Sequence, residues 1–290
     1  MKRRSFLSLS LKICILLGGL SNVLFLYILQ TTQYQRKIMQ LTQKAKEIFE
    51  RFFGKVENLS LMQSDKEYFT NYINFAFGES FVKANLKERD YFLIIIASTL
   101  ASGGENEFSI FVKTAIKNNI KPIEIKEVIY QATPYIGFSK VLDFLMLCNN
   151  IFKEAGVAIP LESQDVTIRS NHRKEKGREV QDTIFGKTNI TKMIESTPKD
   201  KAFINDFLSA NCFGDYYTRK VLDLKTRELL TLVYLISHGG LENQTRAHIQ
   251  GNLNMGQSRK ELLNVIAALI PYIGYPKALN ALNLLDDIKK

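Results

Sequence analysis

Cysteine is scarce in this chain of 290 residues, which contains only Cys14, Cys148 and Cys212. None of the three belongs to a C-x-x-C pair, and neither Cys148 nor Cys212 lies beside a histidine. Dithiol redox sites and many metal sites depend on such arrangements. The sequence therefore predicts two buried structural thiols in the body of the protein and no metal site.

The chain also lacks basic runs interleaved with aromatic residues, the pattern that grips a phosphate backbone. Its formal net charge is +10, but part of this charge lies at the extreme N-terminus, on Lys2, Arg3, Arg4 and Lys12. No acid precedes Glu47, whereas the later Lys and Arg residues are mixed with Asp and Glu. We therefore expect no nucleic-acid partner.

The N-terminus has the composition of a targeting segment. A basic start, Met1–Arg4, precedes the apolar run Ile13–Leu29, which is the usual order in an export signal. The letters R-R-S-F-L at Arg3–Leu7 resemble the twin-arginine export consensus. No A-x-A cleavage site follows, so a cleaved signal and a retained anchor both remain open. We expect residues 1–34 to be an export signal or membrane anchor, and the body to be exported, either periplasmic or membrane-tethered and facing outward.

Alternating strand patterns punctuated by glycine are missing after residue 35. Apolar residues instead recur at three- and four-residue spacings, for example within Leu229–Ile236, as on the buried face of a helix. Ser258 and Glu261 have the spacing of a capping box at a helix start. The segment Gln35–Gly54 has the pattern of an amphipathic helix. The sequence therefore predicts an all-α protein.

Two similar halves are visible in the sequence. The string P-Y-I-G-[FY] occurs at Pro134–Phe138 and Pro271–Tyr275, and L-K-x-R precedes it at Leu86–Arg89 and Leu224–Arg227. Three further landmarks repeat in the same order, which predicts two tandem domains of one fold. A polar, charged segment between the halves is typical of an exposed linker. We place the domains at residues 35–160 and 177–290 and the linker at residues 161–176.

Four segments of the second half carry a resemblance to a known family. They are Gly177–Lys187, Asp223–Thr231, Arg246–Gly256 and Pro271–Ala281. They resemble the carboxymuconolactone decarboxylase family, which also contains the alkylhydroperoxidase D-like proteins; the first half resembles it more faintly. The resemblance implies an all-helical fold, assembly as trimers or hexamers of single domains, and no cofactor. A tandem chain is therefore expected to form a homotrimer that imitates a hexamer.

The chemistry of the family divides at one place in the second half. Peroxidase-type members carry C-x-x-C followed four residues later by His; here Leu241 and Gln244 stand at the cysteine positions and His248 at the His. Without a thiolate there is no nucleophile for a peroxide and no disulfide to cycle. The resemblance therefore favours the decarboxylase branch, whose landmarks are matched by Glu228, His248 and Tyr272.

Loss of CO2 from a lactone acid needs a cationic anchor for the carboxylate and an acid that protonates the remaining carbon. The resemblance implies that His248 delivers this proton and that Glu228 orients the imidazole. An arginine would hold the substrate carboxylate through two hydrogen bonds. The residues expected to bind a small-molecule substrate are Arg246, Arg227, His238 and Tyr272.

Three of these residues also have structural explanations. Arg227 recurs as Arg89 in the first half, and a buried salt bridge to a neighbouring acid would explain both. Tyr272 recurs as Tyr135, as expected of a packing residue. His238 lies at the end of an apolar helix, where it would cap the helix and favour its dipole.

The first half departs further from the family pattern. Counting forward from the repeated arginine places Ile110, Phe108 and Asp90 opposite His248, Arg246 and Glu228. We expect Ile110 and Asp90 to be packed without a comparable cavity, in a domain that serves as a scaffold. For the whole chain we expect a cofactor-free lyase or related proton-transfer enzyme for a small carboxylated or lactone-like molecule. The alternative is a non-catalytic oligomeric protein used for binding or assembly at the membrane.

Overall fold

The computed structural model describes residues 40–167 and 172–288, and every regular element within these residues is a helix. This confirms the predicted all-α class. None of the described helices combines the length and apolar character that a membrane span requires. The predicted export signal or anchor, residues 1–34, lies outside the described residues.

The chain divides into two compact units, the first ending at Gly78 and the second running from Glu79. This division differs from the predicted domain bounds, which follow the sequence repeat. The described elements of the first unit are α1 Gln43–Phe53, a 3-10 turn Val56–Asn58, α2 Leu61–Ser64 and α3 Lys66–Ile73. Helix α1 begins at Gln43, where the hydroxyl of Thr42 accepts a hydrogen bond from Ala45 N at 3.2 Å and caps it. The part of the predicted amphipathic helix before residue 40 lies outside the described residues.

A π-helix, Asn74–Ser80, leads from one unit into the next. The helices of the second unit are α4 Phe81–Ala84, α5 Glu88–Ser102, α6 Glu105–Lys117, α7 Pro122–Ile136, α8 Phe138–Glu154, α9 Arg173–Phe185, α10 Lys187–Ser196, α11 Phe203–Phe207, α12 Leu224–His238, α13 Glu242–Asn254, α14 Arg259–Ile273 and α15 Tyr275–Asp287, with a 3-10 turn at Lys199–Lys201 and a second π-helix at Leu208–Tyr217.

The predicted repeat is visible in the helices. Helices α5, α6 and α7 contain 15, 13 and 15 residues, and α12, α13 and α14 have the same lengths in the same order. The turn before α7 uses Asn119 at a φ of 62°, and the matching turn before α14 uses Gly256 at 81°, both in the left-handed region that these two residue types tolerate. The predicted capping box of Ser258 and Glu261 is confirmed at the start of α14.

The two repeats share one core in the second unit. Helices α5 and α12 pack together, and their central segments, Tyr91–Ala101 and Leu230–Ser237, are buried throughout. Polar side chains inside this core are paired across the repeats. The Ser237 hydroxyl donates to Ser98 Oγ at 2.9 Å, and the Tyr234 hydroxyl donates to the Val128 carbonyl at 2.6 Å. Buried groups paired in this way are expected in a well-packed interior.

Helix α9 lies unusually close to the second π-helix. A Cβ atom at Gly177 would come within 1.7 Å of the Ser209 carbonyl oxygen, and one at Gly214 within 2.3 Å of the Arg173 carbonyl oxygen. Only glycine fits at such an approach. The contact positions the C-terminal end of α9, with Phe185, beside the second repeat's candidate site.

Candidate functional site

Helices α12 and α13 bring the predicted pair, Glu228 and His248, into direct contact. Helix α12 starts at a defined residue because the Asp223 carboxylate accepts a hydrogen bond from Thr226 N at 2.8 Å. Glu228 then lies one turn into α12 and is fully buried. Its Oε1 lies 2.6 Å from Nδ1 of His248, whose residue exposure is 8%. The expected proximity of the two side chains is therefore observed.

The contact with Glu228 orients the imidazole of His248. A carboxylate accepts hydrogen bonds, so Nδ1 donates the hydrogen in this contact. Nε2 forms no hydrogen bond with any other described residue. The rings of Phe185 and Tyr135 meet the imidazole edge-on, with centroids 5.4 and 5.6 Å away. His248 is thus held on its Nδ1 side and packed against two aromatic rings, while Nε2 has no hydrogen bond from another described residue.

Buried hydroxyl groups surround the second oxygen of Glu228. The Tyr217 hydroxyl donates to Oε2 at 2.9 Å. Because that hydroxyl has one hydrogen, Tyr135 at 3.0 Å and Thr231 at 2.7 Å both donate to Tyr217. The Cys212 thiol donates in turn to the Tyr135 hydroxyl at 3.5 Å. These hydrogen bonds form one chain that ends on the Glu228 carboxylate.

Burial keeps these neighbouring groups neutral. It raises the pKa of Tyr135 and of Tyr217 well above the usual value for a phenol, with Cys212 and Glu228 adding smaller effects in the same direction. Burial also raises the pKa of the Cys212 thiol to about 12. These groups therefore act as hydrogen-bond donors near neutral pH. Within the described ranges, no group of three or more His, Cys, Asp or Glu side chains is placed to hold a metal ion.

Tyr135 was not predicted as a site residue; Tyr272 was. The structure places the Tyr272 hydroxyl 2.8 Å from that of Tyr91 and its ring 5.6 Å from Phe111. The two P-Y-I-G tyrosines are thus exchanged between the repeats, and Tyr135 of the first repeat reaches His248 of the second. The recurrence of this tyrosine is visible in the sequence, but the exchange is not, because it depends on how the repeats pack.

The predicted counterpart of His248 in the first repeat was wrong by one residue. His248 is the seventh residue of α13, and the seventh residue of α6 is Phe111, which is fully buried. Ile110, the predicted counterpart, is 45% exposed. Arg89 is the second residue of α5 whereas Arg227 is the fourth of α12, and the loop before α6 is one residue shorter than the loop before α13. The count from the repeated arginine therefore slipped by one residue.

Asp90 is also not packed as expected. Its side chain is 38% exposed and pairs with Arg89 at 2.9 Å. It lines a cavity of about 510 Å³ to which the N-terminal ends of α5 and α12 both contribute. The first half therefore has no copy of the His248 pair but does contribute to open space on the surface.

Neither of the arginines that were predicted to bind substrate, Arg227 and Arg246, contacts His248 or Glu228 through a hydrogen bond or ion pair. Arg227 is fully buried; its Nη2 lies 2.9 Å from Glu127 Oε2 and its Nη1 donates to Gln131 Oε1 at 3.0 Å. The buried salt bridge proposed as the alternative for Arg227 is therefore present. The Arg246 guanidinium is paired with Asp287 at 2.8 Å on a surface where both side chains are about half exposed.

His238 lies apart from the pair, at the exposed C-terminal end of α12. Its Nδ1 is 3.1 Å from the Gly239 carbonyl oxygen, which agrees with a role at the helix end. His238 lines a cavity of about 220 Å³ together with Lys277 and Asn280, but this lining includes neither His248 nor Glu228.

Two residues of α13 that sequence reasoning missed keep the pair in register. A Cβ atom at Gly251 would lie 2.3 Å from Glu228 Oε1, so the carboxylate occupies space that only glycine leaves free. The buried Asn252 amide donates to the Glu228 carbonyl at 3.0 Å and to the His248 carbonyl at 2.8 Å. Both residues lie in the R-A-H-I-Q-G-N segment, three and four residues after His248. This spacing on one helix could have indicated that they lie beside the site.

Comparison with known proteins gives three findings. The sequence profile described as the carboxymuconolactone decarboxylase family matches residues 66–147 and 204–287, once in each repeat. A 4-carboxymuconolactone decarboxylase of Acinetobacter baylyi is 24% identical over 123 residues, which cover 42% of this chain and 91% of that protein. A crystal structure described as a candidate gamma-carboxymuconolactone decarboxylase subunit of Burkholderia xenovorans shows 18% identity and a TM-score of 0.49, over 83% of this chain and 94% of that one.

Proposed function

Since this chain belongs to the carboxymuconolactone decarboxylase family, with two tandem domains, we propose that its second repeat is a cofactor-free lyase or proton-transfer site. The substrate class that we propose is a small carboxylated or lactone-like molecule. The observation that carries this proposal is the His248 imidazole, bonded through Nδ1 to Glu228 at 2.6 Å and left without a partner at Nε2 among the described residues.

The geometry suits proton transfer at a carbon atom. Nε2 of His248 would give its proton to the carbon that loses CO2, or would take a proton from a carbon next to a carbonyl. The Glu228 carboxylate would fix the ring orientation and stabilise the imidazolium while Nε2 carries a proton. The neutral donors Tyr217 and Tyr135 would hold Glu228 in place without adding charge.

Arg227 and Arg246 are not proposed to bind the substrate carboxylate. Arg227 is already bonded to Glu127 inside the protein, and Arg246 to Asp287 at the surface. The support for the proposed chemistry is therefore the geometry of His248 and Glu228.

The test is His248→Ala, assayed with lactone acids by CO2 release and by deuterium incorporation at carbon in D2O. The expected loss is about two to four powers of ten in rate, the usual contribution of a general acid or base. His172→Ala is the matched control, because His172 is exposed and pairs with Glu175 at 2.9 Å on α9 and its preceding turn. An unchanged rate in His248→Ala would leave His248 as a structural residue.

A second outcome would change the class of function. If the unmodified protein neither releases CO2 nor exchanges deuterium with any lactone acid tested, the alternative of a non-catalytic oligomeric binding or assembly protein would replace the enzyme. Peroxidase activity is not proposed, because Leu241 and Gln244 occupy the places of the two thiols.

We further propose a homotrimer of exported two-domain chains. The family's assembly as multiples of three domains and the N-terminal sequence support this proposal. Light scattering on a chain of residues 31–290 should give the mass of three chains. A monomer would contradict the proposed trimer.

The full chain fused to a reporter should be found outside the cytoplasm. A reporter retained in the cytoplasm would contradict the proposed export.

A further inference from the structure

A cavity of about 700 Å³ lies in the second unit, and its lining includes neither His248 nor Glu228. Helices α7 and α8, the segment after α8 and Arg219 form its walls. Its lining includes Ile123, Lys126, Leu145, Asn149, Pro160 and Arg219. A ligand here would therefore occupy a different place from the proposed catalytic site.

Lys126 is the unusual member of this lining. It is only 4% exposed. Its Nζ donates to the neutral Asn149 Oδ1 and lies 5.0 Å from the centroid of the Phe152 ring. Among the described residues no carboxylate lies within ion-pair distance of it. The segments outside the described residues contain no Asp or Glu.

A buried ammonium without a counter-ion is costly, because burial removes the water that stabilises its charge. Burial accordingly lowers the pKa of Lys126, and the nearby Cys148 opposes this only in part. An amide oxygen and a ring face compensate part of the charge. A negatively charged ligand in the adjoining cavity would compensate the rest.

We propose that this cavity binds a small organic monocarboxylate, with its carboxylate on Lys126 and Asn149 and its apolar body against Ile123, Leu145 and Pro160. The Asn149 amide nitrogen is a second donor for the carboxylate. The aliphatic walls require a ligand with a hydrocarbon part.

The charges around the cavity favour a single negative charge on the ligand. Arg219 is already held by Glu127 through Nε and Nη2, at 3.0 and 2.8 Å. Glu162 and Asp165 also line the cavity and would repel a second negative charge. Lys126 therefore remains the one lining cation without a carboxylate among the described residues, which matches a carboxylate better than a phosphate dianion.

The test is calorimetric titration of the full chain with hexanoate, hexan-1-ol and inorganic phosphate. We expect hexanoate to bind more tightly than both others. Lys126→Met should weaken hexanoate binding by about tenfold to a hundredfold, the range for losing a hydrogen bond to a charged group. Lys121→Met is the matched control, because Lys121 precedes α7 at an exposed position, and it should leave binding unchanged.

Two further measurements separate a ligand site from a structural lysine. Without ligand, Lys126→Met should unfold at the same or a higher temperature, because it removes an uncompensated buried charge; a clear decrease would assign Lys126 to packing instead and overturn the proposal. Leu145→Phe, which keeps Lys126, should weaken hexanoate by filling the apolar part of the cavity. Equal binding of hexanoate and hexan-1-ol, tighter binding of phosphate, or no binding of hexanoate would also overturn it.

Discussion

Gly251 shows how one atom controls the geometry of the candidate site. A methyl group at this position would sit 2.3 Å from Glu228 Oε1, so Gly251→Ala should push the carboxylate away from His248. We expect about a hundredfold loss of turnover, as for an ångström-scale misplacement of a catalytic group. The free energy of unfolding should fall by about 1–3 kcal/mol because the site becomes overpacked.

Gly104→Ala is the control for that measurement. A Cβ atom at Gly104 would meet nothing closer than 3.7 Å, and its φ of −88° suits any residue. Turnover with the proposed substrate class and urea denaturation should both be unchanged. If Gly251→Ala kept full turnover, the contact between Glu228 and His248 would not matter for activity.

We expect the two cysteines of the body, Cys148 and Cys212, to be unreactive as thiols in the folded protein. Burial raises the pKa of Cys148 and of Cys212 to about 12, so thiolate is almost absent at neutral pH, and a thiol reagent at pH 8 should label them only after unfolding. Peroxide consumption with a dithiol reductant should equal the protein-free control. If the native chain consumed peroxide and Cys148→Ser with Cys212→Ser did not, the decarboxylase-branch interpretation would fail.

The same thiols predict a pH dependence of stability. In the unfolded chain they ionise near pH 8.5, whereas in the folded chain they ionise near pH 12. Between these values the unfolded state loses protons that the folded state keeps, so the free energy of unfolding should decrease as the pH rises. Denaturation at pH 8 and pH 10 should show this decrease, and the double serine variant should show a smaller one.

At the scale of elements, α7 and α14 exchange their tyrosines between the repeats. Tyr135→Phe keeps the ring beside His248 but removes the hydroxyl that donates to Tyr217 at 3.0 Å. We expect turnover to fall by several-fold and its pH profile to shift, because the bonding of Glu228 through Tyr217 changes. The measurement is the rate of deuterium exchange or CO2 release as a function of pH.

Tyr272→Phe is the matched control on the equivalent helix. It leaves the buried Tyr91 hydroxyl without the partner now at 2.8 Å, which should cost about 1–3 kcal/mol of stability. Its pH profile should match that of the unmodified protein. The opposite result, a shifted profile in Tyr272→Phe alone, would return Tyr272 to the site and remove Tyr135 from it.

At the scale of the whole molecule, a buried ion cluster joins the two repeats. Glu127 of α7 binds Arg227 of α12 at 2.9 Å, both fully buried, and also Arg219 at 2.8 Å. Glu127→Gln would leave two cations close together inside the protein. We expect about 3–5 kcal/mol loss in the free energy of unfolding, measured by urea denaturation.

Asp287→Asn is the comparison for the ion cluster, because it breaks the exposed pair with Arg246. Its cost should stay below about 1 kcal/mol, as for other surface ion pairs. Equal costs for the two variants would mean that the cluster between the repeats contributes no more than a surface contact.

The sequence by itself determined the helical class, the tandem repeat and the capping box at Ser258, and its resemblance to a known family pointed to the pair of Glu228 and His248. The helical class and the capping box depend on local spacing, and the repeat on motifs that recur in both halves. Asn119 and Gly256 even mark the same left-handed turn in both halves. Local patterns of this kind reflect backbone preferences that act over a few residues.

Only the tertiary structure decided which groups surround that pair. Tyr135 enters from the other repeat, and Arg227 is paired with Glu127 of that repeat. Phe111 rather than Ile110 matches His248, because Arg89 is the second residue of α5 whereas Arg227 is the fourth of α12. Lys126 likewise has the same sequence context as a solvated lysine, yet it is 4% exposed. These placements depend on contacts between residues far apart in the chain, which side-chain packing selects and local spacing does not encode.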